Sequence, residues 1–210
     1  MIEVRQYSSN DAELWNNFVS VSKNGTFLFK RSYMDYHSDR FVDNSLMVFE
    51  DSQLVAILPA NITKDSQIIS HGGLSYGGML VKFNEYTNTT INYFAAILEF
   101  LYKSNFDSLI IKQIPDIFVK QSHQEFEYIF SVLGAQLIRT DLSTYLDLRL
   151  QDSQYQERKK RNIKKANKHS LEIKSGEFID VFWSSLLIPN LMERYGLRPV
   201  HSAEEMKLLA

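Results

Sequence analysis

A mixed α/β (α+β) fold is what this sequence predicts, on three observations. Segments with a two-residue apolar period come first and then alternate with segments of helical period. The chain has 210 residues, 44% of them apolar and 23% charged, enough to bury a real core within one ordinary domain and a small extension. Four of its eight glycines sit together between two strand-like segments, in His71-Gly72-Gly73-Leu74-Ser75-Tyr76-Gly77-Gly78.

Ile2 to Tyr7 alternates apolar and polar residues and reads as a first strand. From Asp11 to Val21, Leu14, Trp15, Phe18, Val19 and Val21 form a helical stripe, broken by Asn24-Gly25. A second helix is expected over Arg31 to Arg40, where Lys30-Arg31 reads as surface charge at its start. Leu46 to Glu50 and Leu54 to Thr63 are strands joined through Asp51-Ser52-Gln53, a hairpin signal. Gln67 to Ser70 and Met79 to Phe83 flank the glycine cluster as further strands. Thr87 to Ser104 is the strongest helix, with Ile91, Phe94, Ala95, Leu98 and Leu101 on one face. Ser108 to Gln113 has the run of a buried strand, and a helix over Gln121 to Leu133 ends at Gly134. Gln136 to Arg139 and Ser143 to Leu148 are expected to pair as strands. A basic helix follows from Ser153 to Lys168, then a short strand Leu171 to Lys174 and a helix Phe178 to Met192. Ser202-Ala203-Glu204-Glu205 has the S-x-x-E capping-box pattern and announces one more helix.

Composition narrows the chemistry. Cysteine is absent, which excludes disulfides, cysteine-ligated metals and a cysteine nucleophile. The five histidines include no pair at i,i+4 and no H-E-x-x-H, so no metal site is expected. No G-x-S-x-G elbow, Walker A loop or G-x-G-x-x-G fingerprint occurs. The N-terminus lacks a basic segment followed by an apolar run, and no stretch approaches the roughly 20 apolar residues of a membrane helix. The expected location is the cytoplasm.

Net charge is −2, yet the charge is unevenly spread. Residues 158–168 carry seven of the 23 basic residues and no acid, leaving 16 basic against 25 acidic, a net −9, elsewhere. On a helix, Tyr155, Lys159, Ile163 and Ala166 share a face expected to pack, and Arg158, Arg161, Lys164, Lys165 and Lys168 project outward. Phosphate is the natural partner of such a surface, because Arg makes forked hydrogen bonds and Lys adds point charge. A solvated helix face is the plain alternative, weakened by the lack of interleaved Glu. The glycine cluster is a second candidate, where Tyr76, Gly77 and Gly78 combine close backbone approach with a polar ring. A tight connection between strands is its plain alternative.

Three segments carry a family resemblance. Arg161-Asn162-Ile163-Lys164-Lys165-Ala166, followed by Lys168 and Leu171-Glu172-Ile173, resembles the basic helix of the Fem-type (FemABX-like) transferases, a branch of the GCN5-related N-acetyltransferase (GNAT) superfamily. Ser75-Tyr76-Gly77-Gly78-Met79-Leu80-Val81 resembles the glycine-containing strand entry of that family's first domain, and Thr26-Phe27-Leu28-Phe29 its early segment. The chain departs from the pattern at Gly78, where family members often have Pro, and at Phe29, where glutamine is typical. The Q/R-x-x-G-x-G/A donor loop of ordinary GNAT enzymes is absent.

The resemblance implies a GNAT-like mixed sheet flanked by helices. It implies a first domain over 1–175 and a helical segment, 176–210, leading into a second GNAT-like domain that this sequence lacks. It implies acyl or aminoacyl transfer to an amine of a cell-wall or surface-polysaccharide precursor, with acetyl-CoA, another acyl-CoA or aminoacyl-tRNA as donor and no metal. The acceptor would be phosphorylated or nucleotide-linked, held by Arg158, Arg161, Lys164 and Lys165 and by Tyr76 with the amides of Gly77 and Gly78. No catalytic residue is implied, and the 210-residue chain is expected to be inactive alone. Two other classes compete: a nucleic-acid module using the basic helix 158–168, tRNA included, and a non-catalytic GNAT-like scaffold.

Overall fold

The computed structural model describes residues 1–147, 149, 155–169, 171, 172, 174 and 176–209. They form two compact units, 1–135 and 136–208.

In the first unit, β1 (Ile2–Gln6) lies antiparallel to β3 (Leu46–Glu50), with Val4 opposite Val48. β3 turns into β4 (Gln53–Leu58) through Asp51 and Ser52, both at positive φ (48° and 67°), the two-residue turn that matches strand twist. β7 (Leu80–Val81) joins the other edge of β4, giving the antiparallel order β1-β3-β4-β7. β2 (Val42–Asp43), β5 (Ala60–Ile62), β6 (Ile68–Ser70) and β8 (Leu109–Ile110) form a second sheet in that order, with β6 and β8 parallel.

The strand expected as one piece from Leu54 to Thr63 is therefore split between two sheets. The break is Pro59, which has no N–H to donate to a ladder. Its carbonyl accepts from the His71 amide at 3.1 Å instead. The expected mixed α/β class, with sheets flanked by helices, is what the structure has.

The first sheet is buried on both faces, and alternation assigns each residue to a side. Leu46, Val48, Ala56, Leu58 and Val81 meet Tyr93, Phe94, Ile97 and Leu101 of α3 (Thr87–Lys103) and Phe126 and Ile129 of α4 (Glu125–Val132). Met47, Ile57 and Leu80 face Trp15, Phe18 and Val19 of α1 (Ala12–Val21), with Leu28 and Phe29. The Trp15 indole donates to the Phe29 carbonyl at 2.7 Å, which ties α1 to the segment after it. The second helix is shorter than expected: α2 (Arg31–Met34) tightens into a 3-10 turn over Asp35–His37.

The second unit contains α5 (Glu157–Lys168), α6 (Ile179–Phe182), α7 (Ile188–Tyr195) and α8 (Ala203–Leu209). A π-turn, Trp183–Leu187, joins α6 to α7, so the expected helix from Phe178 to Met192 is one helical run, closed by Gly196 at φ 63°. The capping box at Ser202 is formed: the Glu205 carboxylate accepts from the Ser202 amide at 2.8 Å, and the Ser202 hydroxyl from the Glu205 amide at 3.1 Å. The strands expected at Gln136–Arg139 and from Ser143 onward do not form among the described residues; residues 136–146 are exposed, so no buried face fixes a register. Leu148, the basic-helix start at Ser153, and Ile173 of the Leu171–Lys174 strand lie outside the described residues. Among the described residues no helix is long and apolar enough to cross a membrane.

Candidate functional site

The glycine cluster is a pinned turn. It leaves β6 at Ser70, and His71 turns the chain in the left-handed region at φ 57°. The Lys112 ammonium clamps it, donating to the carbonyl of His71 at 2.8 Å and to that of Leu74. Lys112 is more than half-buried with no carboxylate beside it among the described residues, so burial pushes its ammonium pKa down. Gly77 donates to the Lys112 carbonyl at 2.7 Å, and a Cβ there would stand 2.4 Å from the Ser70 hydroxyl. Gly78, at φ 102°, donates to that hydroxyl at 2.5 Å. Both amides expected to face a substrate are thus engaged inside the fold.

Tyr76 is 8% exposed. Its hydroxyl pairs with the Thr26 hydroxyl at 2.9 Å, and its ring stacks on Phe118 with centroids 5.5 Å apart. The Tyr76 carbonyl meets His71 Nδ1 at 2.7 Å, and the His71 ring stacks on Phe29 at 4.9 Å. Position 29, where the resemblance expects glutamine, serves here as an aromatic shelf under a buried histidine.

The edge of β7 away from β4 is taken by residues 22–24. Lys23 donates its amide to the Val81 carbonyl at 3.0 Å. The Asn24 side chain accepts from the Val81 amide at 3.2 Å and donates to the Met79 carbonyl at 2.9 Å. The Lys23 ammonium forms a buried ion pair with Glu125 at the start of α4.

Between residues 77–79 and 111–114 lies a small cleft lined by Asn24, Gly77, Gly78, Met79, Ile111, Gln113, Ile114, His123, Phe126 and Phe130. No charged side chain lines it. His123 is 2% exposed, and neither ring nitrogen makes a hydrogen bond among the described residues. Nδ1 lies 3.2 Å from a carboxylate oxygen of Asp116, within ionic reach but off the line of a hydrogen bond.

A second small hollow is lined by Arg31, Asp35, Asp43, Asn61 and His71. Arg31 corrects the expectation of surface charge. It is 5% exposed, bonds Asp35 at 2.5 Å and Asp43 at 2.8 Å, and lies 3.8 Å from the centre of the Tyr7 ring. As the first residue of α2 it turns inward, over Tyr7 and Trp15.

The basic helix belongs to the second unit. Arg158, Arg161, Lys164 and Lys165 are exposed and form no ion pair with the described residues, while Lys160 pairs with Glu157 at 2.9 Å. Lys159 lies over the Tyr155 ring at 5.1 Å, as the four-residue spacing predicts. The face expected to pack does not: α5 buries no residue, and Ile163 is 43% exposed. The structure thus groups Tyr76, Gly77 and Gly78 in one unit and Arg158, Arg161, Lys164 and Lys165 in the other.

Sequence reading missed Asn24, Arg31, His71, Lys112 and His123. One signal was present for Lys112, a lone cation inside the apolar run Leu109-Ile110-Ile111-Lys112-Gln113-Ile114. The others are single polar residues whose burial depends on distant segments. Among the described residues no three His, Asp or Glu side chains group as a metal site.

Neither a family model nor a curated protein sequence matches the chain. Solved structures similar to it include the ribosomal-protein-alanine N-acetyltransferase of Brucella melitensis, at 8% identity and TM-score 0.47, covering 70% of this chain and 100% of that one. The aminoglycoside 6'-N-acetyltransferase of Acinetobacter baumannii is similar at 11% identity and TM-score 0.44, with 70% and 99% covered. An aminoglycoside acetyltransferase from an uncultured soil sample is similar at 14% identity and TM-score 0.43, again with 70% and 99% covered.

Proposed function

We propose that this chain is the acceptor-binding portion of a Fem-type N-acyltransferase. It acts on an amine of a phosphorylated, nucleotide-linked cell-wall or surface-polysaccharide precursor. The observation that carries the reading is the cationic face of α5, where Arg158, Arg161, Lys164 and Lys165 are exposed without ion-pair partners among the described residues. A diphosphate there would take charge-assisted hydrogen bonds from the two guanidinium groups and screened attraction from the two ammonium groups.

In such a transfer the substrate nitrogen attacks the acyl carbonyl directly, so the protein supplies position and charge. The donor would be an acyl-CoA or an aminoacyl-tRNA. In the first unit, residues 22–24 fill the edge of β7 that an extended ligand would otherwise pair with, so this edge is closed to a donor.

Titration of the wild type and the Arg161→Ala, Lys165→Ala double variant with UDP, at low and moderate salt, tests the reading. The double variant should bind UDP roughly tenfold or more weakly, about 1.4 kcal/mol, with stability unchanged. No UDP binding by the folded wild type, or equal binding by the variant, refutes it. Affinity that instead grows with oligonucleotide length and falls steeply with salt would favour nucleic acid.

A further inference from the structure

The ladder between β1 and β3 leaves one row of backbone groups unpaired. Tyr7 donates its amide to the Ser45 carbonyl at 2.8 Å, and the Met1 carbonyl accepts from the Asp51 amide at 3.4 Å. Hydrogen-bonded and non-hydrogen-bonded residues alternate along an antiparallel pair. Glu3 and Arg5 therefore aim their N–H and C=O groups at β3, and Ile2, Val4 and Gln6 aim theirs the other way. On that side β1 is the end of its sheet, and among the described residues no hydrogen bond reaches the backbone of Ile2, Val4 or Gln6. The other end of the sheet is closed by residues 22–24. We infer that the open edge of β1 pairs antiparallel with β1 of a second copy of this chain. The two-fold axis passes at Val4 and sets Glu3 of each copy opposite Arg5 of the other.

Charge selects both the occupant and the register. Charged residues commonly block an open edge. Here the two charges on β1 have opposite signs and lie two residues apart on one face, with Ile2 and Val4 packed on the other against the α3 side of the core. Glu3 is exposed and forms no ion pair among the described residues. Arg5 bonds Asp11 at 2.9 Å, yet 45% of its side chain stays exposed, and a guanidinium has donors for a second carboxylate. The outward groups meet only when Ile2, Val4 and Gln6 lie opposite one another. Centred on Glu3, such a pairing sets Glu3 against its own copy; centred on Arg5, it does the same to Arg5, and like charges directly opposite repel. Centred on Val4, it sets Ile2 opposite Gln6 and Val4 opposite Val4. Each Glu3 then faces an Arg5 across a non-hydrogen-bonded pair, where side chains stand closest. Ile2 and Val4, only partly buried in one copy, gain apolar cover from the other. The result is one antiparallel sheet through both copies, joined by the same strand from each. A five-residue strand makes a small interface, so the dimer is weak, half-formed at about 10–100 µM. The pairing does not depend on what the chain binds or transfers.

Sedimentation of the intact chain from about 5 to about 500 µM reads the assembly, with monomer expected at the low end and dimer at the high end. Glu3→Lys and Arg5→Glu should each weaken self-association at least roughly tenfold. An equimolar mixture of the two variants should dimerise again, because all four charges then face their opposites. Val4→Pro removes an outward N–H that β3 does not use, and should give a folded monomer. Amide hydrogen exchange reads the register: Glu3 and Arg5 should be protected at every concentration, and Val4 and Gln6 only as the dimer fills. A chain that stays monomeric at about 500 µM overturns the proposal and leaves the edge to a strand of another protein. So does self-association that Glu3→Lys leaves unchanged, a mixture that does not recover it, or exchange at Val4 and Gln6 that ignores concentration. If Arg5→Glu or Val4→Pro does not fold, Glu3→Lys and the exchange pattern decide it.

Discussion

Replacing Arg31 is the most demanding test of how the first unit is held together. Its guanidinium bonds Asp35 and Asp43, lies 3.4 Å from the Ser45 hydroxyl, and is stacked over Tyr7 with Trp15 at 5.4 Å. Breaking a fully buried ion pair costs about 3–5 kcal/mol, mostly because the surviving charge is stranded. Here the carboxylates are not stranded, since the Asp35 and Asp43 side chains keep 47% and 33% of their exposure. The ionic part therefore falls to about 1–2 kcal/mol. The stacked stem and the lost volume add about 2 kcal/mol. Arg31→Ala should thus destabilise by about 3–4 kcal/mol, and Arg31→Met, which keeps the stem, by about 2 kcal/mol. Urea unfolding followed by tryptophan fluorescence reads both, because the guanidinium lies over the Trp15 ring. A cycle with Asp43→Asn should give a coupling of about 1–2 kcal/mol. Arg31→Ala within about 1 kcal/mol of wild type at unchanged m-value would refute the reasoning.

Asn24→Ala removes the side chain that satisfies both Met79 O and Val81 N–H, so about 2–4 kcal/mol should be lost in urea unfolding. Gly77→Ala drives a methyl to within 2.4 Å of the Ser70 hydroxyl and 2.9 Å of its carbonyl, and should lower the melting temperature far more than Gly134→Ala, which meets only the penalty of positive φ, about 1–2 kcal/mol. The Tyr93 phenol is buried and donates to Glu50 at 2.9 Å, which raises its pKa. Above the ordinary tyrosine range near 10 the unfolded chain then loses this proton first, so stability falls with rising pH, and Tyr93→Phe should flatten that limb. Lys112 acts with the opposite sign: its lowered pKa means the unfolded chain holds the proton more tightly, so stability rises with pH between the folded and unfolded values, and Lys112→Met should remove that rise.

What the sequence determined is local. Alternation along Ile2–Gln6, the apolar runs of Leu46–Glu50 and Gln53–Leu58, the stripe of Thr87–Lys103, the hairpin at Asp51-Ser52 and the capping box at Ser202 all stand where sequence pattern and turn chemistry put them. Such signals need only neighbours within a few residues. The density of cations on α5 was equally legible, because charge is counted, not folded. Tertiary structure decided the rest. Pro59 splits one apolar run between two sheets, a choice that depends on which strands arrive on either side. The segment 136–147 is as apolar in places as a strand but has no face to cover, and stays irregular. Asn24, Arg31 and Lys112 are indistinguishable from surface residues until partners 12 to 57 residues away close over them, and so is His123 until its surroundings bury it. Burial of a polar side chain is a property of the whole packing, since only there is it known whether water or protein will satisfy it.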